Sequence, residues 1–247
     1  MKVNLDIAVI PEELTHKKLE GKTTVAIDVL RATTTIITAL QNGSLLILPV
    51  LTPEEAFQKF QESDSPWLIG GERSGRKVAG FHLGNSPREY NSETVRGKKI
   101  LLTTTNGTRV LKMVEMAGEV LICAFINLTA VAGRLAAQIQ KGALQPEEVL
   151  IACAGTEGNF SLEDLVCAGG LVHKLDRLVS EKLKKSEAAE AAEILYRSYQ
   201  TDLLGLFRRT RGGQGLIDIG LGEDLKFCSQ IDLYDLVPRF KNGIITP

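Results

Sequence analysis

The sequence is poor in the residues that carry redox and soft-metal chemistry. Its four cysteines, Cys123, Cys153, Cys167 and Cys228, include no C-x-x-C pair, which excludes a zinc ribbon and a redox dithiol and leaves buried thiols as the reading. The three histidines, His16, His82 and His173, lack H-E-x-x-H spacing, so each is read as structural rather than as a zinc ligand. Aromatic residues make up only 5% of the 247 positions while apolar residues reach 44%, so the core has to be aliphatic. No sign of charge predominates: 29 basic residues face 30 acidic ones, for a net charge of -1, and the chain has no electrostatic case for binding nucleic acid. No apolar run approaches the ~18 residues of a membrane span. Met1 to Ile10 lacks the basic flank and continuous apolar run of a signal peptide. A cytoplasmic protein is expected, with no membrane or nucleic-acid partner, and a homo-oligomer is left open.

What is present is alternation. Val25–Leu30, Leu45–Val50, Trp67–Gly70, Ile100–Thr103, Val120–Ile126 and Val149–Ala154 read as strands. Between and after them lie segments of helical period: Ala32–Gln41, Pro53 to about Glu62, Thr108–Met116, Leu128–Gln140 and Leu165–Leu178. Thr52-Pro53-Glu54-Glu55 supplies a cap, a proline at the first helical position and a glutamate three residues after the cap. The pattern predicts an α/β fold, a three-layer α/β/α sandwich around a largely parallel or mixed sheet. It fits one domain over residues 1–247, with two closely packed lobes allowed. The Ala/Glu/Lys-rich stretch Glu181–Arg197 favours helix. Leu83–Arg96 is the longest irregular stretch, and long loops inside compact domains are usually functional.

Four segments place polar residues and glycines just after a predicted strand, where open α/β sheets hold ligands. In Asp28-Val29-Leu30-Arg31-Ala32-Thr33-Thr34-Thr35, an acid, a guanidinium and three hydroxyls meet the start of a helix, a good environment for phosphate or carboxylate. The bland alternative has the threonines capping the helix while Asp28 pairs with Arg31. Gly70-Gly71-Glu72-Arg73-Ser74-Gly75-Arg76-Lys77 is not a P-loop, because Arg76 stands where that loop needs lysine and Lys77 where it needs a hydroxyl. It remains a glycine-hinged basic loop with one carboxylate, or a charged surface turn. Thr103-Thr104-Thr105-Asn106-Gly107-Thr108 offers hydroxyls and backbone N–H groups for an oxyanion. In Ala154-Gly155-Thr156-Glu157-Gly158-Asn159-Phe160-Ser161-Leu162-Glu163-Asp164, which ends the Val149 strand, Ser161 reads as an N-cap and Glu163 and Asp164 as helix-dipole partners, or one of them as a magnesium ligand or base. G-x-G-x-x-G and G-x-S-x-G are both missing, which counts against dinucleotide binding and a serine-hydrolase elbow.

Together, Asp28-Val-Leu-Arg-Ala-Thr-Thr, Gly71-Glu-Arg with Gly80-Phe81 and Leu83-Gly-Asn-Ser-Pro87, Thr104-Thr-Asn-Gly-Thr108 and Ser161-Leu-Glu-Asp164 occur in that order. In this combination the chain resembles the 2-phosphosulfolactate phosphatases of coenzyme M biosynthesis from Asp28 through at least Asp224. The resemblance implies a magnesium-dependent acid phosphatase with a three-layer α/β/α fold. Its implied substrate is (2R)-2-phospho-3-sulfolactate and its products are sulfolactate and phosphate. The haloacid-dehalogenase-like phosphatases are excluded as a template, since Leu30 occupies the second acidic position of their D-x-D core.

A substrate with about four negative charges needs cations, and oxygen-rich candidates favour magnesium over zinc. Asp28 is assigned as metal ligand or nucleophile, Glu72 and Asp164 as metal ligands or base, and Arg31 and Arg73 as anion clamps in a solvated pocket. Thr33, Thr34, Thr105, Asn106, Gly107 and Thr108 are expected around the phosphoryl oxygens, with Arg209 and Arg211 for the sulfonate. A phosphatase for another 2-phospho acid and a noncatalytic anion-binding protein are the alternatives.

Overall fold

A computed structural model of the chain describes residues 2–15, 19–63, 66–144, 148–179 and 182–247; His16 and Glu181 lie outside the described residues. Apolar stretches rich in β-branched residues form the strands, as a pleated, buried surface favours. The chain begins with β1 (Val3–Ala8), β2 (Thr23–Ile27), α1 (Ala32–Gln41), β3 (Leu46–Pro49) and α2 (Pro53–Gln61). Helix α2 starts as its sequence dictates: Glu55 N–H donates to Thr52 Oγ1 at 3.1 Å, and Pro53 takes the first turn, where no N–H is missed. Next come β4 (Trp67–Arg73), β5 (Arg76–Lys77), α3 (Ser92–Val95), β6 (Lys99–Thr103), α4 (Gly107–Val114), β7 (Glu119–Cys123), α5 (Leu128–Gln140), β8 (Glu148–Cys153) and α6 (Leu162–Val179). The last third adds β9 (Leu183–Lys185), α7 (Glu187–Tyr199), α8 (Leu203–Phe207), α9 (Arg211–Asp218), α10 (Glu223–Cys228), β10 (Arg239–Lys241) and β11 (Ile244–Thr246).

The eleven strands form one mixed sheet in the order β5-β4-β6-β3-β11-β10-β7-β2-β8-β1-β9. Strands β4, β6 and β3 run parallel to one another, as do β7, β2, β8, β1 and β9. The β10–β11 hairpin stands between these parallel blocks, antiparallel to β7 on one side and to β3 on the other. Side chains alternate across the sheet, so each central strand feeds two cores. Val25 and Ile27 of β2 pack with Val131 and Leu135 of α5 and Val166 of α6, whereas Ala26 packs with Ile36 of α1 and Val110 of α4 on the other face. This is the α/β/α layering expected from the alternation. All four cysteines are buried free thiols.

One stretch departs from the sequence expectations, and two more form elements for which no expectation stood. The Glu181–Arg197 stretch is not all helix, because Leu183–Lys185 pairs with β1 as β9 before α7 begins. The glycine-rich segment from Arg211 opens α9, whose N-cap Thr210 accepts from Gly213 N–H at 3.1 Å. The final stretch supplies the hairpin at the middle of the sheet. No helix among the described residues is long and apolar enough to cross a membrane.

Candidate active site

Strand β2 ends at Ile27, which makes Asp28 the first residue beyond its carboxyl end. The side chain is buried, at 6% exposure, and its Oδ1 accepts from Ala32 N–H at 3.2 Å at the start of α1. Gly107, the first residue of α4, lies against the other oxygen: a Cβ there would come within 2.6 Å of Asp28 Oδ2 and would collide with Ala32 Cβ. Asp28 is thus pinched between the amino ends of two helices, and only glycine leaves it room.

Glu72 reaches the same place from β4. Its Oε1 accepts from Thr105 N–H at 2.6 Å, and its Oε2 accepts from Gly75 N–H at 2.8 Å and Thr105 Oγ1 at 3.2 Å. One carboxylate therefore joins the β4–β5 turn to the β6–α4 turn. Gly71 before it has φ +147°, and a Cβ there would strike the Thr103 carbonyl across the β4–β6 pairing. A cavity of about 440 Å³ opens here, walled by Asp28, Arg31, Glu72, Thr105 and Asn106 and closed from the last third of the chain by Arg211.

The electrostatics are unbalanced. Among the described residues, Asp28, Glu72, Glu157 and Asp218 line the cavity against Arg31 and Arg211, and both guanidiniums are already paired. Arg31 donates through one terminal nitrogen to Asp224 Oδ2 at 2.7 Å and through the other to the Gly75 carbonyl at 2.7 Å. Arg211 pairs with Glu157 at 2.5 Å near the surface. Burial pushes the Asp28 carboxyl up to about 7; Ala32 N–H opposes the shift, the charges of Glu72 and Glu163 add to it, and Arg31 offsets it in part. Burial also raises Glu163, against hydrogen bonds to Thr210 and Ser161. It raises Asp164 as well, with the charges of Asp28 and Glu163 contributing.

Asp28, Arg31, Glu72, Thr105, Asn106 and Arg211 are thus brought together, with Gly107 behind Asp28. Other candidates serve the frame. Asp28 does not pair with Arg31. Thr33 Oγ1 donates to the Asp28 carbonyl and accepts its N–H, and Thr34 Oγ1 donates to the Val29 carbonyl, so both hydroxyls are spent on the strand-to-helix turn. Thr108 Oγ1 donates to the Thr104 carbonyl at 2.7 Å, closing the β6–α4 turn on itself. Asp164 ties two strand ends together, accepting from Val29 N–H at 2.8 Å and Gly155 N–H at 3.2 Å, and does not line the cavity. Arg73 turns away from the cavity and donates to the carbonyls of Glu72 and Leu51 and to Thr103 Oγ1. Arg209 lies over the Tyr199 ring at 5.7 Å and donates to the Gly205 carbonyl. His82 accepts from Ile69 N–H through Nδ1, a structural role.

The sequence assigned no role to Asn85, Glu157 or Asp224, although Asn85 and Glu157 lie in candidate segments. Asn85 sits in the irregular Leu83–Arg96 stretch, whose length was its signal. Asp224 had none, because its partner Arg31 is 193 residues away.

Among the described residues no three His, Cys, Asp or Glu side chains gather closely enough to hold a metal. That does not conflict with magnesium, which commonly takes one or two protein carboxylates and completes its shell with water and substrate oxygens. Asp28 and Glu72 fit that requirement: they are oxygen donors on one cavity wall, in a site where carboxylates outnumber guanidiniums. Asp164 fits less well, since it does not line the cavity.

The family model for 2-phosphosulpholactate phosphatase matches residues 8–243. A probable 2-phosphosulfolactate phosphatase of Clostridium acetobutylicum is 37% identical over 98% of this chain and 100% of its own length. A relative of that name from Caldanaerobacter subterraneus is 40% identical over 94% of this chain and 93% of its own. One from Thermosynechococcus vestitus is 44% identical over 87% of each. With the family match spanning the strand ends that build the cavity and relatives aligned along nearly the whole length, this chain belongs to the 2-phosphosulfolactate phosphatase family.

Proposed function

We propose that this protein hydrolyses (2R)-2-phospho-3-sulfolactate with water, giving 3-sulfolactate and inorganic phosphate. The observation that carries the reading is the Asp28 carboxyl, buried at the carboxyl end of β2 in a cavity with Glu72, Arg31 and Arg211. The full-length relatives that bear the phosphatase name support the same reaction. Magnesium, held by Asp28 and Glu72, would neutralise charge on the transferred phosphoryl group.

The remaining work belongs to the chain. Arg31, fixed by Asp224 and the Gly75 carbonyl, presents a guanidinium of set orientation to an anionic oxygen. Asn106 supplies an uncharged donor in the same cavity, while Thr105 spends its N–H and hydroxyl on holding Glu72. Arg211, exposed and paired with the exposed Glu157, can exchange that carboxylate for the sulfonate or carboxylate of the substrate. A small diffusible substrate requires neither membrane nor nucleic acid, in keeping with a cytoplasmic enzyme.

Phosphate release from 2-phosphosulfolactate, compared with 2-phospholactate and 2-phosphoglycerate, tests the reading. The expected result is fastest turnover of the sulfonated ester, abolished by EDTA and restored by magnesium. Preference for an unsulfonated ester overturns the substrate assignment, and full activity after exhaustive chelation overturns the magnesium assignment.

A further inference from the structure

Asn85 lies in the segment between β5 and α3, is 4% exposed and lines the cavity with Arg31 and Gly75. Its backbone is firmly held. Thr35 Oγ1 donates to the Asn85 carbonyl at 2.8 Å, and the neighbouring Ser86 donates through Oγ to Asp224 Oδ1 at 2.7 Å. Since Asp224 also holds Arg31, one buried carboxylate sets both the segment bearing Asn85 and the guanidinium in the cavity wall.

The Asn85 side chain, by contrast, has no such engagement: its Oδ1 is buried with no hydrogen-bond partner. Buried polar atoms are paired as a rule, because an unpaired one loses its hydration and gains nothing. Nδ2 is not among the buried unpaired atoms and makes no hydrogen bond to a described residue, so it is the end of the carboxamide left open where Asn85 lines the cavity. The anionic substrate of the proposed reaction carries acceptors, and a carboxamide meets an acceptor through Nδ2–H.

We propose that Asn85 is a substrate-contacting residue whose Nδ2–H donates to an anionic oxygen of the bound phospho acid. This rests on the phosphatase reading above. A phosphoryl oxygen and a carboxylate or sulfonate oxygen share the required chemistry, and separate binding measurements distinguish them.

The experiment compares wild type with Asn85→Ala and Asn85→Asp. It records kcat and KM on 2-phosphosulfolactate, melting temperature, and calorimetric affinity for inorganic phosphate and for 3-sulfolactate with magnesium present. Asn85→Ala is expected to melt no lower than wild type, because it deletes an unpaired polar atom. Its kcat/KM is expected to fall about ten- to a hundredfold, the worth of one hydrogen bond to a charged group. Asn85→Asp keeps the shape and serves if the alanine variant fails to fold; it should lose more, because a carboxylate repels the substrate. Weakened phosphate affinity assigns the contact to the phosphoryl end, and weakened sulfolactate affinity assigns it to the acid end. Wild-type kcat/KM and unchanged affinities for both anions overturn the proposal. A wild type that binds both anions without releasing phosphate would overturn the phosphatase reading alone, and the variant affinities would still decide the role of Asn85.

Discussion

The Arg31 guanidinium and the Asp224 carboxylate face each other at 2.7 Å with side-chain exposures of 2% and 0%. Neither is solvated, so the pair is part of the frame as well as of the cavity. Removing one member leaves the other charged in the interior, and Arg31→Ala should cost about 3–5 kcal/mol in urea unfolding; a loss below 1 kcal/mol would show that Asp224 finds another partner. Asp28 carries the opposite sign of effect. Its folded carboxyl titrates near 7 against an ordinary value of 3.8, so the unfolded chain loses the proton first and ionisation weakens the fold as pH climbs between those values. In chelated protein, Asp28→Asn should therefore raise the melting temperature at pH 8 but leave it unchanged near pH 3, with a ceiling of roughly 4 kcal/mol. Equal shifts at both pH values would contradict the burial argument. Asp28 and Glu72 were legible in the sequence because each stands at a strand end amid glycine and hydroxyl residues. The surroundings that decide their behaviour, Asp224 above all, come from distant chain and leave no local pattern.

At the scale of elements, the periodic segments were read to within a few residues. Helices α1 and α5 run over Ala32–Gln41 and Leu128–Gln140, as their apolar spacing predicts. What escaped are β1, since Met1–Ile10 is weighed only against a signal peptide, and the two- and three-residue strands β5, β9, β10 and β11, too short to show a period and defined only by the partners they meet. The hairpin nevertheless occupies the middle of the sheet, with Phe240 and Ile245 buried at 3% and 0%. Phe240→Ala should destabilise by about 3–5 kcal/mol, measured by denaturant midpoint at unchanged slope; wild-type stability would show that the two parallel blocks hold together without it. The strand-end turns are as exacting. Gly107→Ala drives a methyl group toward Asp28 Oδ2 and Ala32, so it should abolish turnover far more than it lowers the melting temperature, and normal kcat/KM would remove Asp28 from the reacting centre.

Across the whole molecule, the antiparallel hairpin joins two parallel blocks whose carboxyl ends supply one cavity: Asp28 follows β2 in one block, while Glu72 and Thr105 come from β4 and the end of β6 in the other. Coarse layering was legible because alternating strands and helices have few ways to pack; the joining of the blocks was not, since it depends on the last residues of the chain. The same cavity holds more carboxylates than guanidiniums, and a multiply charged anion enters it only with added positive charge, which is why magnesium and Asp28 stand together in the proposed reaction. Phosphate release from 2-phosphosulfolactate by wild type and Asp28→Asn, both verified as folded and assayed with magnesium and with EDTA, tests this most directly. Release is expected from wild type with magnesium only, with a loss of at least about a thousandfold in Asp28→Asn, the scale of removing a group that acts on the transition state. Wild-type turnover by Asp28→Asn, or no release by folded wild type with magnesium, would contradict the shared role of magnesium and Asp28.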